Sequence, residues 1–357
     1  MPIGTALSGT NSSTLLQPKI PRVVVSHEQS VNPHLGTKLL YLSQAAVSST
    51  GLSMEEIISA LEFMFREKAE GRVEMPPKIG IHTMPDAFIH AMPAAISGQK
   101  AAGMKWVGGY PANSKCGLPY ITGLLILNDY ETGIPLALMD CTWITAQRTG
   151  AATALAAKYL ARSDSETLGI LGCGVQGRSN LEALRLRFSL QRVFAYDTHI
   201  ERAESYAREM QSRFGIEVQP VSDPQEAAIT SDIVVTAGPI LRKPHGTIKA
   251  GWLQEGAFAS LVDFDSYWSS AALTEVDKFC TDDVVQMNHY RDLGYFLHIP
   301  PIHADLAELV TGRKPGREKQ EERTMACNLG LALDDIAVAP LIYERALAKG
   351  IGTWLPL

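Results

Sequence analysis

A glycine-rich turn is the stretch of this sequence whose residue types and spacing most directly suggest chemistry. Gly172, Gly174 and Gly177 match the pattern G-x-G-x-x-G and stand between the apolar run "TLGIL" and an amphipathic run. In such a turn the first glycine permits a tight bend, the second lets the backbone approach a pyrophosphate, and the third lets a helix pack against a strand. The following helix would point its N-terminal N–H groups at phosphate oxygens. The stretch therefore predicts a dinucleotide-binding turn.

An acidic residue at the end of the next apolar run supports this prediction. The run "RVFAYD" ends at Asp197, at the distance expected for a carboxylate that accepts hydrogen bonds from the adenosine ribose hydroxyls. This favours NAD, because a 2′-phosphate would meet a negative charge there. His199 and Arg202 follow closely, so NADP stays open as a second cofactor.

The elements that must position this turn alternate in type. From Glu166 onward, short apolar runs alternate with amphipathic runs, which predicts a parallel sheet covered by helices on both faces. The predicted strands are "TLGILG", "RVFAYD", "GIEVQPV", "DIVVTAG" and "GAFASLVDF", and the predicted helices are "QGRSNLEALRLRF", "IERAESYAREMQSRFG" and "PQEAAITS". The mixed charges of "GRKPGREKQEER" predict a solvated loop over 312–323.

The first half of the chain has a different pattern. Ser53 and Glu56 have capping-box spacing, and apolar residues recur at helical intervals until Gly71. "DAFIHAMPAAI" and "AAGMKWVGGY" predict strands, and "ITGLLILNDYETGIPLALMD" predicts a hairpin that turns at 129–133. The Ala-rich "TWITAQRTGAATALAAKYLAR" predicts a long helix leading into the alternating block. The tail "GLALDDIAVAPLIYERALAKGIG" predicts a helix that folds back onto the first half.

Composition narrows the class of protein. A length of 357 residues predicts two domains, and a net charge of -6 without a basic cluster argues against nucleic-acid binding. No apolar run reaches membrane-spanning length, so we expect no membrane insertion. The five cysteines are scattered without a CxxC pair, which predicts reduced thiols and a cytoplasmic location. The Ser-, Thr-, Gly- and Pro-rich start predicts a loose arm rather than a signal peptide.

Three stretches together resemble the ornithine cyclodeaminase/mu-crystallin family. They are "GMKWVGGYPANSKCGLPYITGLLILNDYETGIPLALMD", "TAQRTGAATALAAKYLAR" and "GILGCGVQG", and the tail helix is similar as well. The resemblance implies an α/β protein in which a Rossmann dinucleotide-binding domain is inserted into an α+β substrate-binding and dimerisation domain. It implies a flexible arm over 1–35, a substrate domain over 36–162 plus 323–357, and a Rossmann domain over 163–322. It also implies a homodimer.

The resemblance assigns roles to individual residues. Lys105 matches the family lysine that contacts the substrate carboxylate near the reacting carbon, and Arg148 matches the arginine that pairs with that carboxylate. A guanidinium fork suits a carboxylate, and a partly buried ammonium can also move a proton. Leu329 is assigned to the substrate pocket. The implied cofactor contacts, beyond the three glycines and Asp197, are Thr149, Val175, Gln176, Thr236 and Asn328.

Two substrate-facing positions depart from the family pattern. Lys78 stands where the family commonly has a carboxylate-binding arginine, which keeps the charge but loses the fork. His90 stands where ornithine cyclodeaminases have a glutamate. It could shuttle a proton or contact substrate, or it could be a packed strand histidine. A histidine there counts against ornithine as the substrate, because a cationic side chain loses its negative partner.

Further departures concern the polar groups around the reacting centre. The family aspartate that gives or takes a proton falls in "SLVDFDSYW", where Asp263 and Asp265 compete and Asp265 fits better when counted back from Leu273. Tyr267 and Trp268 could wall the pocket instead. Tyr120 replaces a common threonine, and Asn328 replaces a serine. His289, His298 and His303 lack partners at ligand spacing, so no metal site is expected.

These residues support three functions. The first is an NAD(P)-dependent oxidoreductase acting on the C–N bond of a small amino or imino acid, as an imine or ketimine reductase or an amino-acid dehydrogenase. The second is an ornithine- or lysine-type cyclodeaminase that recycles bound NAD and releases ammonia. The third is a non-catalytic binding protein like mu-crystallin. Lys105, Arg148 and Asp265 favour an enzyme over a binder, and the altered His90 and aspartate regions favour the oxidoreductase over the cyclodeaminase.

Overall fold

Two eight-stranded sheets organise the chain in a computed structural model that describes residues 33–357. The predicted arm over 1–35 lies almost wholly outside the described residues. The first sheet is built from both ends of the described chain, and the second from the segment between them. The α/β fold predicted from the sequence is confirmed.

The first sheet is largely an antiparallel meander. Its strands are β1 (Lys38–Leu42), β2 (Val73–Glu74), β3 (Ile79–Ile81), β4 (Phe88–Ile96), β5 (Ala101–Gly109), β6 (Ile121–Asp129), β7 (Pro135–Asp140) and, at the end of the chain, β16 (Thr353–Pro356). Their order is β16-β1-β7-β6-β5-β4-β2, and β3 also pairs with β4. The strands β4 and β5 and the β6–β7 hairpin follow the sequence prediction, and the hairpin turns at 129–133.

Four helices belong to this part of the chain. They are α1 (Gln44–Ser49), α2 (Met54–Ala69), α3 (Thr142–Leu160) and α10 (Ala332–Lys349). The capping box of Ser53 and Glu56 begins α2, as the spacing predicts. Helix α10 packs against β4, β5 and α2, so the tail folds back as predicted. Helix α3 packs against α2 and also against the second half of the chain, and thus joins the two sheets.

The second sheet is entirely parallel. Its strands are β8 (Thr167–Leu171), β9 (Arg192–Tyr196), β10 (Glu217–Val221), β11 (Ile233–Thr236), β12 (Phe258–Leu261), β13 (Lys278–Thr281), β14 (Ile302–Asp305) and β15 (Thr324–Cys327). Their order is β10-β9-β8-β11-β12-β15-β13-β14. The chain leaves β8 toward β9 on one side and later returns to β11 on the other. Ligands of such sheets bind at this switch point, beyond the carboxyl ends of the strands.

Six helices connect these strands. They are α4 (Val175–Leu184), α5 (Ile200–Phe214), α6 (Pro224–Ile229), α7 (Ser270–Leu273), α8 (Val284–Asp292) and α9 (Leu306–Thr311). The sequence prediction extended α4 to Phe188, but the helix ends at Leu184 and the chain continues as turns. Strand–helix alternation and the order 3-2-1-4-5 of the first five strands give the Rossmann topology.

Two expectations from the sequence need correction. Strand β15 pairs with β12 and β13 in the second sheet, although the expected boundary assigned everything from residue 323 onward to the substrate domain. The segment 312–323 is not simply a solvated loop. The Arg317 guanidinium donates to the carbonyls of Leu160, at 2.8 Å, and Ala257, at 3.1 Å, so it ties the end of α3 to the second sheet. Charge mixing alone does not distinguish such an anchor from a solvated side chain.

None of the helices formed by residues 33–357 combines the length and the apolar character needed to cross a membrane.

Candidate active site

A cleft of about 870 Å³ runs along the carboxyl edge of the parallel sheet. Residues that follow five neighbouring strands contribute to its wall: Asp197 after β9, Gly172 after β8, Ala237 after β11, Val262 after β12 and Asn328 after β15. Strands β4 and β5 and helix α3 of the other half supply the remaining side. The cleft therefore brings the predicted nucleotide turn and the predicted substrate residues onto one surface.

The glycine-rich turn is shaped to accept phosphate groups. Gly172 has φ +116°, and a Cβ atom there would lie 2.5 Å from the carbonyl oxygen of Ala237. A Cβ on Gly177 would lie 2.4 Å from the Gly172 carbonyl oxygen, so Gly177 permits close packing of α4 behind the wall. By contrast, a Cβ on Gly174 would meet no atom of residues 33–357 within 4 Å. The turn is thus tight on its inner side and open toward the cleft.

Helix α4 begins at this opening. Its N-cap is Gly174, and no side chain of the described part of the chain caps it, so its first N–H groups are left for another acceptor. Val175 and Gln176, the predicted cofactor contacts, line the cleft. This uncapped, cleft-facing helix start has the chemistry of an anion site.

Asp197 lies at one end of the cleft and is held by the neighbouring backbone. Its carboxylate accepts hydrogen bonds from the N–H groups of Cys173 and His199, each at 3.1 Å. Arg202 also lines the cleft nearby. The position of Asp197 fits the predicted contact with ribose hydroxyls. The guanidinium of Arg202 supplies a cation in the same wall.

Three cationic side chains line the other end. Lys105 and Arg148 are only 1% and 7% exposed, and Lys78 lies with them in the cleft wall. Burial, reinforced by the charge of Arg148, lowers the pKa of Lys105. Burial opposes the charge of Arg148 as well, but the carboxylates of Asp335 and Asp334 outweigh it and raise the pKa of that guanidinium. A concentration of buried cations in a cleft is a site for an anion.

Two adjacent aspartates at the start of α10 hold two of these cations, Lys105 and Arg148, and the sequence reasoning missed both aspartates. The Lys105 Nζ lies 2.6 Å from Asp335 Oδ2, and the Arg148 Nε lies 3.4 Å from Asp335 Oδ1. Arg148 Nη1 lies 3.4 Å from Asp334 Oδ2. Burial raises the pKa of Asp334 to about 7 despite the opposing charge of Arg148. Gly330 makes room for the guanidinium, because a Cβ there would lie 2.2 Å from Arg148 Nη1.

Lys78 reaches the site from the loop between β2 and β3. Its Nζ donates to the carbonyl oxygen of Leu329 at 2.5 Å, which places the predicted substrate residue Leu329 beside it in the wall. Burial and the positive charge of Arg148 lower the pKa of Lys78 from its ordinary value of 10.5. The ammonium can therefore lose its charge at a lower pH than a surface lysine does.

His90 lies on β4 in the same wall. Its ring stacks on Phe88 with centroids 4.3 Å apart and an interplanar angle of 16°. Burial, followed by the charge of Lys78, lowers the pKa of His90 to about 3. The ring is thus neutral at physiological pH and presents an aromatic face. The histidine is packed against Phe88 and also lines the cleft, and a contact with substrate stays a prediction.

The two candidate aspartates do not line the cleft. Val262 and Phe264 form the wall there, whereas Asp263 and Asp265, in the bend that follows β12, are buried and do not line the cleft. Thr236, predicted to face the cofactor, is also fully buried and donates its hydroxyl to Asp263 Oδ1 at 2.6 Å. Burial raises the pKa of Asp263 to about 7 and that of Asp265 to about 6. A proton-transfer role for either stays a prediction.

The remaining polar residues divide between the wall and the core. Thr149 lines the cleft and donates its hydroxyl to the Thr145 carbonyl at 2.7 Å. Tyr267 lines the cleft, but Trp268 is buried and donates its indole N–H to Thr236 Oγ1 at 3.3 Å. No group of three His, Cys, Asp or Glu residues within 33–357 is arranged to hold a metal ion.

The unpaired side chain of Asn328 indicates what kind of ligand this cleft accepts. Its side chain is 7% exposed, and neither its amide nitrogen nor its amide oxygen finds a hydrogen-bond partner among the described residues. A buried amide without partners is costly unless a ligand satisfies it. A carboxamide has the matching donor and acceptor. With the open Gly174 turn and Asp197, the wall offers the groups that a nicotinamide dinucleotide needs.

Comparison with known proteins agrees with this geometry. The model of the ornithine cyclodeaminase/mu-crystallin family matches residues 38–350. The alanine dehydrogenase of Archaeoglobus fulgidus is 39% identical over 88% of this chain and 97% of that protein. The structure of the Thermococcus litoralis Delta(1)-pyrroline-2-carboxylate reductase in complex with NADH and L-proline is 36% identical, with a TM-score of 0.80 over 88% of this chain and 99% of that one. An archaeal alanine dehydrogenase dimer with bound NAD is 38% identical, with a TM-score of 0.80 over 89% of this chain and 99% of that one.

Proposed function

This chain belongs to the ornithine cyclodeaminase/mu-crystallin family, and on that premise we propose that it is an NAD-dependent oxidoreductase acting on the C–N bond of an amino or imino acid. The observation that carries the proposal is the single cleft that joins an open dinucleotide turn to three cations, Lys78, Lys105 and Arg148. Relatives described as alanine dehydrogenase and as a pyrroline-2-carboxylate reductase with NADH support it. NADP stays open as an alternative cofactor, because Arg202 lines the cleft beside Asp197.

Each end of the cleft has a distinct part in the mechanism. The α4 N-terminus and Gly174 hold the pyrophosphate, Asp197 holds the ribose, and Asn328 pairs with the carboxamide. A nicotinamide dinucleotide held there would supply the hydride chemistry at the α-carbon of the substrate. Arg148 and Lys78 bind the substrate carboxylate and orient that carbon. Lys105 moves a proton to or from the substrate nitrogen, and its lowered pKa suits an acid–base group.

The cyclodeaminase alternative requires a group that binds a second, terminal ammonium. Within the described residues, Asp197 is the sole carboxylate of the cleft wall. Asp197 follows β9, whereas Phe264 of the substrate end follows β12. Strands β9 and β12 are three strand spacings apart in the sheet, which is roughly 14 Å. The substrate end instead carries a neutral His90 and three cations. These charges favour the oxidoreductase.

The test is consumption of NADH, followed by absorbance, with 2-oxo acids plus ammonia and with the cyclic imines pyrroline-2-carboxylate and piperideine-2-carboxylate. Net NADH consumption with any of these compounds supports the oxidoreductase. Ammonia release from ornithine or lysine without net change in NADH would instead establish the cyclodeaminase. Absence of both reactions, with intact NADH binding, would contradict both enzymatic functions. The non-catalytic binding protein would then be the remaining function.

The glycine turn provides a first prediction. Gly174→Val should weaken NADH binding at least about tenfold, or about 1.4 kcal/mol, because a side chain would fill the space that the pyrophosphate needs. Its melting temperature should stay near that of the wild type, since no described atom lies within 4 Å of the new Cβ. Gly172→Ala is the contrasting variant and should melt earlier, because its Cβ meets the Ala237 carbonyl. Fluorescence titration and thermal melting measure the two effects, and equal NADH affinities in Gly174→Val and wild type would contradict the assignment.

Lys78 provides a prediction about pH. As pH rises from about 6 toward about 10, the KM of the carboxylate substrate should increase, because Lys78 loses its charge below the ordinary lysine pKa. In Lys78→Arg the guanidinium stays charged over this range, so the increase should flatten. Parallel KM–pH curves for the two proteins would show that Lys78 does not bind the carboxylate.

The domain division and the dimer are part of the proposal. We place the end of the Rossmann domain after Cys327, because β15 belongs to its sheet. The outer face of the first sheet exposes Trp106 and Leu124, which pair across β5 and β6, next to Ile79 and Ile81 of β3. An apolar face of this kind marks an interaction surface, and the archaeal relative is described as a dimer. A second copy of this chain is therefore its proposed occupant.

The dimer proposal predicts the effect of one surface substitution. Trp106→Glu should shift the molar mass in light scattering from dimer toward monomer, because it places a charge in the proposed interface. Leu186→Glu, at an exposed apolar position of the other half, should leave the mass unchanged. A monomeric wild type, or a dimer that persists in Trp106→Glu, would contradict this interface.

We also place the protein in the cytoplasm. The five cysteines are unpaired, and four of them are buried: Cys141, Cys173, Cys280 and Cys327. Free thiols suit a reducing compartment.

A further inference from the structure

We propose that the substrate end of the cleft holds a subsite for a bulky aromatic or branched apolar side chain on the α-carbon. The proposal rests on the proposed function and names the substrate class for it. The subsite, called the aromatic subsite here, is formed by Phe88, His90, Tyr120, Phe264, Tyr290 and Tyr295, all of which line the cleft.

The aromatic subsite adjoins the cations that would bind the carboxylate. The Lys78 Nζ lies 5.7 Å from the centroid of the Tyr290 ring. Tyr290 in turn lies 5.1 Å from Phe264 and 5.5 Å from Tyr295, each in an edge-to-face arrangement. A carboxylate held by Lys78 and Arg148 therefore has its α-carbon next to these rings. A side chain leaving that carbon meets aromatic surface.

The backbone holds one of these rings in place at a conformational cost. Phe264 has φ 61°, in the left-handed region that bulky residues rarely adopt. Phe296, which packs against it with centroids 4.9 Å apart, has φ 54°. Such strain persists when the surrounding packing enforces it, and it is concentrated at binding sites. The same strained bend presents Phe264 to the cleft and leaves Asp263 and Asp265 behind the wall.

The charge pattern of the aromatic subsite selects an uncharged side chain. His90 is neutral, because burial lowers its pKa to about 3. Asp282 lies near Tyr290, but its Oδ2 already accepts the Gly330 N–H at 2.7 Å, and it does not line the cleft. An aminoalkyl side chain would lose its hydration without gaining a carboxylate partner. Phe264 and Tyr290 are almost fully covered by protein, so the surface left for a ligand comes from the four half-buried rings Phe88, His90, Tyr120 and Tyr295, which a methyl group is too small to span.

Binding of amino acids to the NADH-loaded protein tests this inference without turnover, because the reduced cofactor cannot accept a hydride from an amino acid. Calorimetric titration uses L-alanine, L-leucine, L-phenylalanine, L-proline and L-ornithine, which share the carboxylate and differ beyond the α-carbon. We expect phenylalanine or leucine to bind at least about tenfold more tightly than alanine, and ornithine to bind most weakly. Alanine or proline binding as tightly as the bulky amino acids would overturn the inference while leaving the proposed function intact. Absence of binding by all five would contradict the carboxylate site itself, and with it both proposals.

Variants separate the aromatic subsite from general stability. Tyr295→Ala removes a half-buried ring of the subsite and should lower the affinity for phenylalanine about tenfold while changing that for alanine less than twofold. Tyr130→Ala removes an exposed tyrosine of the β6–β7 turn, and both affinities should match the wild type. Equal losses for phenylalanine and alanine in Tyr295→Ala would indicate a structural role and overturn the assignment.

Discussion

Replacing Lys105 with methionine should lower the turnover number by about 10²–10⁴-fold, the range typical of a positioned acid–base group. The Lys105 ammonium lies in the cleft wall, is almost fully buried and has a lowered pKa, so methionine removes both its charge and its proton. Methionine has a similar length, which limits the change in packing. Steady-state NADH oxidation with the best substrate measures the loss.

Two controls isolate the chemistry of Lys105. NADH affinity should stay within about twofold of the wild type, because the glycine turn and Asp197 are untouched. Lys158→Met makes the same chemical change at an exposed lysine that pairs with Glu62, and its turnover should be normal. Wild-type turnover in Lys105→Met would refute the assigned role.

The second large effect is expected for Asp335→Asn. This substitution should lower the free energy of unfolding by about 3–5 kcal/mol, because it leaves Lys105 and Arg148 buried with their main counter-charge removed. It should also shift the Lys105-dependent limb of the pH–rate profile to lower pH. The Asp335 carboxylate raises the pKa of Lys105 against burial, so its removal lowers that pKa further.

Asp334→Asn is the matched control for Asp335. The two aspartates are adjacent and fully buried, but Asp334 lies 3.4 Å from Arg148 and burial raises its pKa to about 7. Its carboxyl group therefore loses its proton less readily than an exposed aspartate does, and asparagine should cost less. Denaturant unfolding of both variants gives the comparison. Equal destabilisation, or an unmoved pH profile in Asp335→Asn, would argue against a positioning role for Asp335.

Local patterns in the sequence predicted most of the fold because they reflect local physics. The capping box of Ser53, the turn at 129–133 and the alternation after Glu166 depend on neighbours along the chain, and the structure contains all three. Strand β15 was misassigned for a different reason. The strand "TMAC" has only four residues, too few to show a pattern of its own. Its place between β12 and β13 depends on long-range pairing.

The candidate site was predictable where family motifs or the glycine pattern marked it. The acidic pair Asp334–Asp335 lacked such a mark, because acidic residues in the first turn of a helix are commonly explained by the helix dipole alone. The exclusion of Asp263 and Asp265 from the wall depends on the strained bend at Phe264, which composition and periodicity do not encode. Tyr290 and Tyr295 come from the segment after β13, whose approach to Lys78 is a tertiary contact.

One feature of helix α3 determines how closely the arginine-bearing helix approaches the glycine-rich turn's helix, α4. Gly150 follows Arg148 and Thr149 of the cleft wall directly, and a Cβ on it would lie 2.3 Å from the carbonyl oxygen of Ser179 in α4. The helix that carries Arg148 therefore contacts, backbone to backbone, the helix that begins at the glycine-rich turn. No flexible side chain separates them at this point. The separation of α3 and α4 at this crossing is thus determined by main-chain contact, and side-chain rearrangement there can neither lengthen nor shorten it.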